Sequence, residues 1–453
     1  MMKQTEERVN KAIETAETIA GAVKVAGGTV YYVGGCVRDK LMGVPFDDID
    51  IEVHGITPDT LDNILSEIGR KREVGLSFGI WGLDGVDIDI AMPRLEEATG
   101  KGHRDFKTYT DPFIGTEKAA MRRDFTVNAI MENVLTHELV DHYGGLKDID
   151  ERVLRHVNDK SFADDPLRVL RCAGFAARFE FEVADETKDL CSQMSLGELS
   201  RERIFAELEK ALLKAKKPSL FFDFLREINK LDLWFPEIKS LIGIEQSPVY
   251  HAEGDVYNHT MLVLDSAAAM REKAESPLGF MLSSLCHDFG KALTTEVIDG
   301  KIHAYRHETE GLVPIREFIS RLSDNKALKR YVLNMTEHHM KPNMMVRQKA
   351  SQKSMNRLFD TSVSPCDLLL LSEADFNGSL GEKDTYDSTR EKLASSLSAF
   401  NEIMSRPYVS GDDLIAAGIK PGTHFGELLT LAHKLRLAGV PKELALKQVL
   451  NSK

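Results

Sequence analysis

The stretch VYYVGGCVRDKLMGVPFDDIDIEV, residues 30–53, decides the fold of this chain. A run of β-branched and aromatic residues leads into the turn Gly34-Gly35, a short helix follows, and a second apolar run begins at Ile49. Glycine lets backbone N–H groups approach an anion closely, a helix N-terminus favours negative charge, and Arg38 offers a guanidinium fork for phosphate oxygens. The stretch therefore predicts a mixed α/β module with a phosphate cradle.

Carboxylates follow this cradle at strand spacing. Period-two alternation places Asp48 and Asp50 on one face of the second strand. The run VDIDIAM, residues 86–92, predicts another strand with Asp87 and Asp89 on one face, and the period alone does not separate the roles of these two. Neighbouring carboxylates repel one another, and Mg²⁺ bound by hard oxygen ligands relieves that repulsion while it bridges to a nucleoside triphosphate. The pattern predicts two-metal nucleotidyl transfer, with a plain glycine turn and an acidic strand end as the alternative.

Arginines and one further aspartate stand at informative spacings beyond the strands. The motif MRRDF supplies paired arginines that include Arg123, and the segment 161–179 predicts a helix that opens with Asp165, Arg168 and Arg171. Asp165 and Arg168 are three residues apart and would share a helix face. A carboxylate beside a guanidinium matches the amine and ring acceptor of cytosine or adenine, and uracil and guanine present the reverse order. The pair predicts selection of C and A without a template, with a surface ion pair as the alternative.

The ordered set of motifs resembles one family. GGCVRDKLMG, DDID, RRDFTVNA, DHYGGLKDID, DDPLRVLR and SRERIFAELEKAL are similar to the bacterial-type (class II) tRNA nucleotidyltransferases, the CCA-adding enzymes, over residues 28–240. The resemblance implies an α+β fold, in which a polymerase-β-like head with a small mixed sheet precedes an all-α neck, body and tail. The implied domains are the head at 1–150, a base-selecting neck at 151–245, the body at 246–404 and a tRNA-contacting tail at 405–453.

The resemblance also implies roles for single residues. It places catalysis with bound Mg²⁺ on Asp48 and Asp50, and base selection on Asp165 and Arg168. Asp89 is the predicted third catalytic carboxylate, from the pattern of its strand. The implied triphosphate and sugar contacts are Gly35, Arg38, Arg123 and Arg171. The implied partners are ATP, CTP and the tRNA 3′ end. The sequence departs from the usual family pattern at Asp164, where Glu is usual, at Asp89, where Glu is common, and at Gly174, where many members have arginine.

A second cluster of histidines and aspartates lies downstream in predicted helices. Imidazoles and carboxylates on facing helices form metal sites that activate water for attack on a phosphoester. The predicted ligands of a divalent transition metal are His259, His287, Asp288 and Asp375. The set resembles an HD phosphohydrolase domain, which implies 2′,3′-cyclic phosphodiesterase, 2′-nucleotidase and phosphatase activities. The candidates for a second metal or a phosphate contact are His307, His338 and His339, with ordinary surface or core histidines as the alternative.

Composition limits the setting in which these sites work. With 58 basic and 71 acidic residues, the chain of 453 residues carries a formal charge of −13. Bulk charge therefore does not drive it onto nucleic acid, and we expect tRNA affinity to come from a local basic groove. Five widely spaced cysteines without a CxxC pair indicate the reducing cytoplasm. No stretch approaches the roughly 18 apolar residues of a membrane span.

The predicted function is template-independent addition of C, C and A to tRNA, with phosphoesterase repair activity in the body. The segment 96–120 resembles the flexible loop that family members need for the final A, which favours complete CCA addition. The alternatives are an A-adding-only tRNA nucleotidyltransferase, a poly(A) polymerase, and an HD phosphohydrolase whose head only binds nucleotide. A non-catalytic RNA-binding module is disfavoured because it has no use for two such constellations.

Overall fold

The computed structural model describes residues 2–46, 48–75, 80–98, 106–381 and 385–452. The chain divides into two compact units, Met1–Leu199 and Ser200–Lys453. The boundary between them falls inside the predicted neck, and each unit is described by itself. Among the helices of the described residues, none combines the length and the apolar character that crossing a bilayer requires.

The first unit is built on a mixed sheet. Its strands are β1 (Thr29–Val33), β2 (Ile49–His54), β3 (Lys71–Gly75), β4 (Ile80–Leu83), β5 (Val86–Ala91), β6 (Arg94–Ala98), β7 (Phe106–Thr110), β8 (Met131–Asn133) and β9 (Leu139–Val140). The order in the sheet is β3-β4-β5-β2-β1-β8-β9, and β6 pairs with β7 separately. β2 and β5 are parallel, and the other neighbours in the sheet are antiparallel. The predicted α+β class and the predicted strands at 30–35, 49–53 and 86–92 are confirmed.

Helices complete this unit. They are α1 (Met2–Val25), α2 (Gly35–Leu41), α3 (Pro58–Ile68), α4 (Thr116–Met121), α5 (Gly145–Asp150), α6 (Asp159–Ala163), α7 (Leu167–Phe179) and α8 (Asp185–Gln193). Ile49, Ile51 and Val53 of β2 belong to the core cluster that also contains Ile19 and Val23 of α1. Because side chains alternate along a strand, Asp50, Glu52 and His54 lie on the opposite face of β2. Packing of the apolar face of β2 in the core therefore determines that its acidic residues lie on the opposite face.

Two details correct the sequence interpretation. The neck was predicted to be all-α, but β10 (Val153–Leu154) and β11 (Glu182–Val183) form a short parallel ladder in it. The helix predicted to open with Asp165 begins two residues later, at Leu167. Asp165 precedes Pro166, and a residue before proline is disfavoured in the α conformation. The Asp165 carboxylate instead accepts the backbone N–H of Leu167, at 3.0 Å.

The second unit is helical apart from one hairpin, β12 (Thr295–Ile298) and β13 (Lys301–Ala304), where the sequence suggested strands. Its helices are α9 (Arg201–Lys214), α10 (Ser219–Glu227), α11 (Pro236–Lys239), α12 (Val256–Ala268), α13 (Pro277–Cys286), α14 (Lys291–Thr294), α15 (His307–Glu310), α16 (Leu312–Leu322), α17 (Lys326–His338), α18 (Lys341–Arg347), α19 (Gln352–Thr361), α20 (Pro365–Gly378), α21 (Asp387–Ser405), α22 (Gly411–Ala416), α23 (Thr423–Leu437) and α24 (Lys442–Leu450). α12 packs against α13 and α20, and α13 also packs against α17. These helices carry most of the histidine and aspartate cluster.

Candidate functional site

Three carboxylates meet where β2 and β5 run parallel. The register places Asp50 opposite Asp89. Asp48 directly precedes β2 and is exposed, as is Asp89, whereas Asp50 is half-buried. Burial raises the pKa of Asp50 to about 6; Arg123 opposes the rise, and the charges of Asp89 and Asp48 add to it. A group of acids that repel one another in this way is a suitable oxygen ligand set for a divalent cation.

Asp50 and Asp89 line a cleft of about 350 Å³, and Asp48 is not among the described residues that line it. Its charged lining consists of Asp50, Glu52, Asp89, Arg94, Arg122, Arg123 and Arg168. Asp87 is not part of this lining and lies 3.9 Å from Arg8, so the structure separates the two acids that the period could not. The cleft combines acids for a cation with guanidinium groups for an anion. It therefore suits a metal-bound polyphosphate.

The glycine turn lies against the same group. Gly34 has φ +73°, which disfavours any side chain. A Cβ at Gly34 would lie 3.4 Å from Nη1 of Arg123 and 3.6 Å from Oδ2 of Asp50. Gly35 is the first residue of α2. The structure thus brings the predicted turn, acid and arginine together.

Arg38 and Arg171 lie elsewhere. Neither is among the described residues that line the cleft. Arg38 is buried, donates to Asp39 at 2.8 Å and to Asn128, and lies over aromatic rings of α7. Arg171 donates to Oδ2 of Asp124 at 2.6 and 2.8 Å, and Asn128 donates to the other oxygen of Asp124 at 2.9 Å. The two arginines therefore form the ends of a polar chain that links α2 to α7.

Arg168 lies in the cleft, and backbone carbonyls hold its guanidinium. Nη1 donates to the carbonyl of Ser161 and Nη2 to that of Arg122, each at 2.8 Å. The backbone N–H of Arg168 donates to the carbonyl of Asp165 at 3.0 Å, so the two residues share one turn although Asp165 precedes the helix. Of the predicted flexible loop 96–120, residues 99–105 lie outside the described part of the chain.

Sequence reasoning missed Glu52. This residue is only 7% exposed, and its two oxygens accept from Nε2 of His54 at 2.8 Å and Nη2 of Arg123 at 3.3 Å. Burial alone would raise the pKa of Glu52, but His54 and Arg123 together hold it below its usual range. The period-two pattern that identified Asp48 and Asp50 continues through Glu52 and His54, and was the available signal.

The four predicted ligands of the second cluster converge in the helical unit. Nε2 of His259 lies 3.1 Å from Oδ1 of Asp375 and 3.4 Å from Nε2 of His287. Nε2 of His287 lies 3.3 Å from Oδ2 of Asp288. Although burial opposes it, hydrogen bonds with Asp375 and Glu253 raise the pKa of His259 to about 8.

The other oxygen of Asp288 faces a second pair of imidazoles. Oδ1 of Asp288 lies 3.3 Å from Nε2 of His307 and 4.0 Å from Nε2 of His339. Burial and the neighbouring His287 and His307 lower the pKa of His339 to about 3, so its imidazole is neutral. His338 is not part of this group, since its Nδ1 contacts Nζ of Lys341 at 2.9 Å. Of the three candidate second ligands, the structure brings together His307 and His339.

The protonation of these histidines fits metal ligands. Nδ1 donates to a backbone carbonyl in His287, His307 and His339, at 2.6 to 2.8 Å. Each Nε2 then carries a lone pair in the neutral ring, and two pairs of Nε2 atoms face each other at 3.4 Å. Imidazole nitrogens that face each other beside carboxylates are suited to hold a metal cation between them. Asp288 is shared by two such groups, each with its ligand atoms within 4.8 Å of one another.

Comparisons with known proteins agree with this architecture. The poly A polymerase head domain family matches residues 30–155, and the probable RNA- and SrmB-binding site of polymerase A matches residues 180–242. A multifunctional CCA protein of Actinobacillus pleuropneumoniae is 37% identical over 364 residues, 78% of this chain and 86% of that protein. A multifunctional CCA protein of Pasteurella multocida is 38% identical over 318 residues, 68% of this chain and 73% of that protein.

Solved structures show the same fold. The Bacillus stearothermophilus CCA-adding enzyme in complex with CTP has a TM-score of 0.68 at 20% identity, over 97% of each chain. The Thermotoga maritima CCA-adding enzyme complexed with tRNA has a TM-score of 0.64 at 22% identity, over 100% of this chain and 98% of that one.

Proposed function

This chain belongs to the family of the multifunctional CCA proteins, and from this premise we propose that it adds C, C and A to tRNA 3′ ends from CTP and ATP, without a template. The observation that carries the proposal is the parallel register of β2 and β5, which sets Asp50 opposite Asp89 beside an arginine-lined cleft. Nucleotidyl transfer needs this combination of oxygen ligands and cations for a triphosphate.

The residues of the head divide the work of this reaction. Asp48, Asp50 and Asp89 would hold Mg²⁺, which, when bound, supplies the Lewis acidity that activates the attacking 3′-hydroxyl and offsets the charge of the triphosphate. Arg94, Arg122 and Arg123 neutralise the phosphate oxygens. The hydroxyl attacks the α-phosphorus in line, and pyrophosphate leaves.

Base selection falls to the turn that opens α7. Arg168 donates to the ring acceptor of cytosine or adenine, and Asp165 accepts from the exocyclic amine. Uracil or guanine would set an N–H donor against Arg168 and a carbonyl acceptor against Asp165, and this mismatch costs more than a weak fit. The carbonyls of Ser161 and Arg122 hold the Arg168 guanidinium and so keep the reading edge in place. We assign this step to the predicted neck, 151–245, and tRNA contact to the tail, 405–453.

Addition to defined tRNA ends tests this function. A labelled tRNA that ends at the discriminator base is incubated with CTP, ATP, UTP and GTP, singly and together. We expect two C with CTP alone and CCA with CTP plus ATP. Addition of A only to tRNA that already ends in CC would favour the A-adding alternative, and runs of A on an unrelated RNA would favour a poly(A) polymerase.

We also propose that the helical body, 246–404, is a metal-dependent phosphoesterase. The shared carboxylate of Asp288 supports this, because it lies between two groups of inward-facing imidazoles. These residues would hold divalent transition metals, which supply an activated water when bound. The class of substrate is a phosphoester at the damaged 3′ end of RNA, whose removal exposes the hydroxyl that the head uses.

Hydrolysis of bis(p-nitrophenyl) phosphate and of RNA ending in a 2′,3′-cyclic phosphate tests this second function. The protein is stripped with a chelator and reloaded with Mn²⁺, Co²⁺ or Ni²⁺. If none of these metals restores hydrolysis, the proposed phosphoesterase activity is contradicted. We place both activities in the cytoplasm, where thiols stay reduced, in accord with five free cysteines in the structure.

A further inference from the structure

Glu52 is a buried acid inside the cleft that the reaction chemistry above does not use. It lies on the same face of β2 as Asp50, one step of the alternation further along the strand. Its partner residue in β5 is Ala91, whereas the partner of Asp50 is Asp89. The two strands therefore pair a carboxylate with a carboxylate at Asp50. At Glu52, β5 provides no second carboxylate for a cation.

Both oxygens of Glu52 already have cationic or N–H partners. Oε1 is 2.8 Å from Nε2 of His54, and Oε2 is 3.3 Å from Nη2 of Arg123. A carboxylate that is 7% exposed needs such partners, because a buried and unpaired charge is costly. Glu52 is thus engaged as an anchor for Arg123 and not as an open metal ligand.

Arg123 lies between two carboxylates. Its Nη2 meets Glu52, while Nη1 lies 3.4 Å and Oδ2 of Asp50 lies 3.6 Å from the position that a Cβ at Gly34 would occupy. An arginine without its anchor would be drawn onto Asp50, where it would compete with a cation for the carboxylate. The contact with Glu52 occupies one edge of the Arg123 guanidinium, and the other edge is directed at the glycine turn.

We propose that Glu52, supported by His54, is a positioning residue that holds Arg123 in the orientation that receives the triphosphate. The proposal rests on the proposed nucleotidyl transfer and deepens it. Because the anchor acts on the phosphate end of the nucleotide, its loss affects CTP and ATP alike. This distinguishes Glu52 from Arg168, which acts at the base.

The test measures binding of Mg·CTP and Mg·ATP by calorimetry to the full chain without tRNA, so no addition takes place. Glu52→Gln keeps the side-chain volume and removes the charge. We expect the Kd for both nucleotides to rise about tenfold, because a charge-assisted contact that orients the phosphate ligand is lost. In an Arg123→Ala background the same substitution should change neither Kd more than about twofold, since Glu52 acts through Arg123.

Glu132→Gln is the matched control. Glu132 is a buried acid of the same sheet, 3% exposed, which pairs with Lys40 at 2.6 Å and with Nδ1 of His137 at 2.9 Å, and it does not line the cleft. The Glu132→Gln substitution removes an equivalent buried charge and should leave the Kd for both nucleotides within about twofold of the wild-type value. The thermal midpoint of each variant is measured in parallel, and Glu52→Asp replaces Gln in the cycle if Gln prevents folding.

An unchanged Kd in Glu52→Gln would overturn the inference, as would an equal rise in the Arg123→Ala background. The same result from Glu132→Gln would show a general effect of losing buried charge and would also overturn it. The proposed function fails separately, if the wild-type chain binds Mg·CTP but adds no nucleotide to tRNA.

Discussion

The head cleft and the helical histidine cluster differ in how much of each site is complete before a ligand arrives. In the head, Asp48 and Asp89 are exposed and Asp50 is half-buried, and all three offer oxygen. In the helical unit, His259, His287, Asp288 and His339 are at most 1% exposed and offer nitrogen as well as oxygen. Buried imidazoles fixed by backbone carbonyls are preorganised for a cation, whereas the exposed acids of the head leave room for the oxygens of a triphosphate.

The surrounding charges reinforce this difference. Arg94, Arg122 and Arg123 line the head cleft and can neutralise a polyphosphate. In the helical cluster, Lys291 lies 2.6 Å from Asp288, and the buried imidazole of His339 is neutral. We infer that the head would bind its cation together with a nucleotide, while the proposed metal site of the body would bind its metal without substrate. This difference predicts that the two centres can be inactivated independently.

The largest effect is expected from Asp50→Asn. This substitution keeps the shape of the side chain and removes the charge that faces Asp89, so CMP incorporation into tRNA lacking CCA should fall by about a thousandfold or more. Hydrolysis of bis(p-nitrophenyl) phosphate should remain within about twofold of wild type, because the helical site is separate. Loss of both activities in a folded variant would show that the two centres are one functional unit.

The reciprocal change is Asp288→Ala. It removes the carboxylate shared by both imidazole groups, so phosphoester hydrolysis should fall by about a thousandfold and the metal content of the purified protein should decrease. His338→Ala is a matched control, since His338 contacts Lys341 and not the cluster. CMP incorporation is the second readout and should not change. A hydrolysis rate retained in Asp288→Ala would exclude this cluster as its source.

Local patterns predicted the separate parts of both sites, and tertiary pairing decided how they combine. Alternation placed Asp48 and Asp50 on one face, but the register with Asp89 depends on pairing β2 with β5, which is three strands later in the chain. Glu52 was visible in the same alternation, yet its partner Arg123 is 71 residues away in sequence. Such pairings are set by the packing of the whole unit and leave no local signal.

Neighbouring residues show the same limit in the helical unit. His338 and His339 are adjacent, and successive helical residues point about 100° apart, so only one can face a given cluster. The sequence did not identify which one, and packing of α17 against α13 selects His339. The helix start predicted at Asp165 was wrong for a different reason, because Pro166 already indicated in the sequence that the helix begins after Asp165.

A smaller effect, on selectivity and not on rate, is expected from Arg168→Ala. Loss of the guanidinium to which we assign base selection should reduce the preference for CTP over UTP by about 10- to 100-fold, judged from kcat/KM for each nucleotide. Affinity for tRNA should stay within about twofold, because Arg168 lies in the nucleotide cleft. Unchanged discrimination against UTP would remove Arg168 from base selection. An equal loss with CTP and UTP would assign it to phosphate binding.

The smallest effect is the pH dependence of cation binding in the head. Burial beside Asp89 and Asp48 raises the pKa of Asp50 to about 6 from an ordinary value of 3.8, with Arg123 opposing the rise. A proton and Mg²⁺ compete for this carboxylate, so Mg²⁺ affinity should fall up to about tenfold for each pH unit below 6 and become constant above 7.

The same raised pKa determines the sign of a stability effect. Folding favours the protonated form of Asp50, so its contribution to stability is fully present below pH 3.8 and is lost as the pH rises to about 6. The thermal midpoint of the metal-free wild type, compared with Asp50→Asn, should therefore decrease between these pH values, and Mg²⁺ should restore it at pH 7 more than at pH 5. A midpoint difference that does not change with pH would mean that Asp50 ionises normally, and the contrast between a substrate-completed head and a preorganised helical site would then rest on ligand type alone.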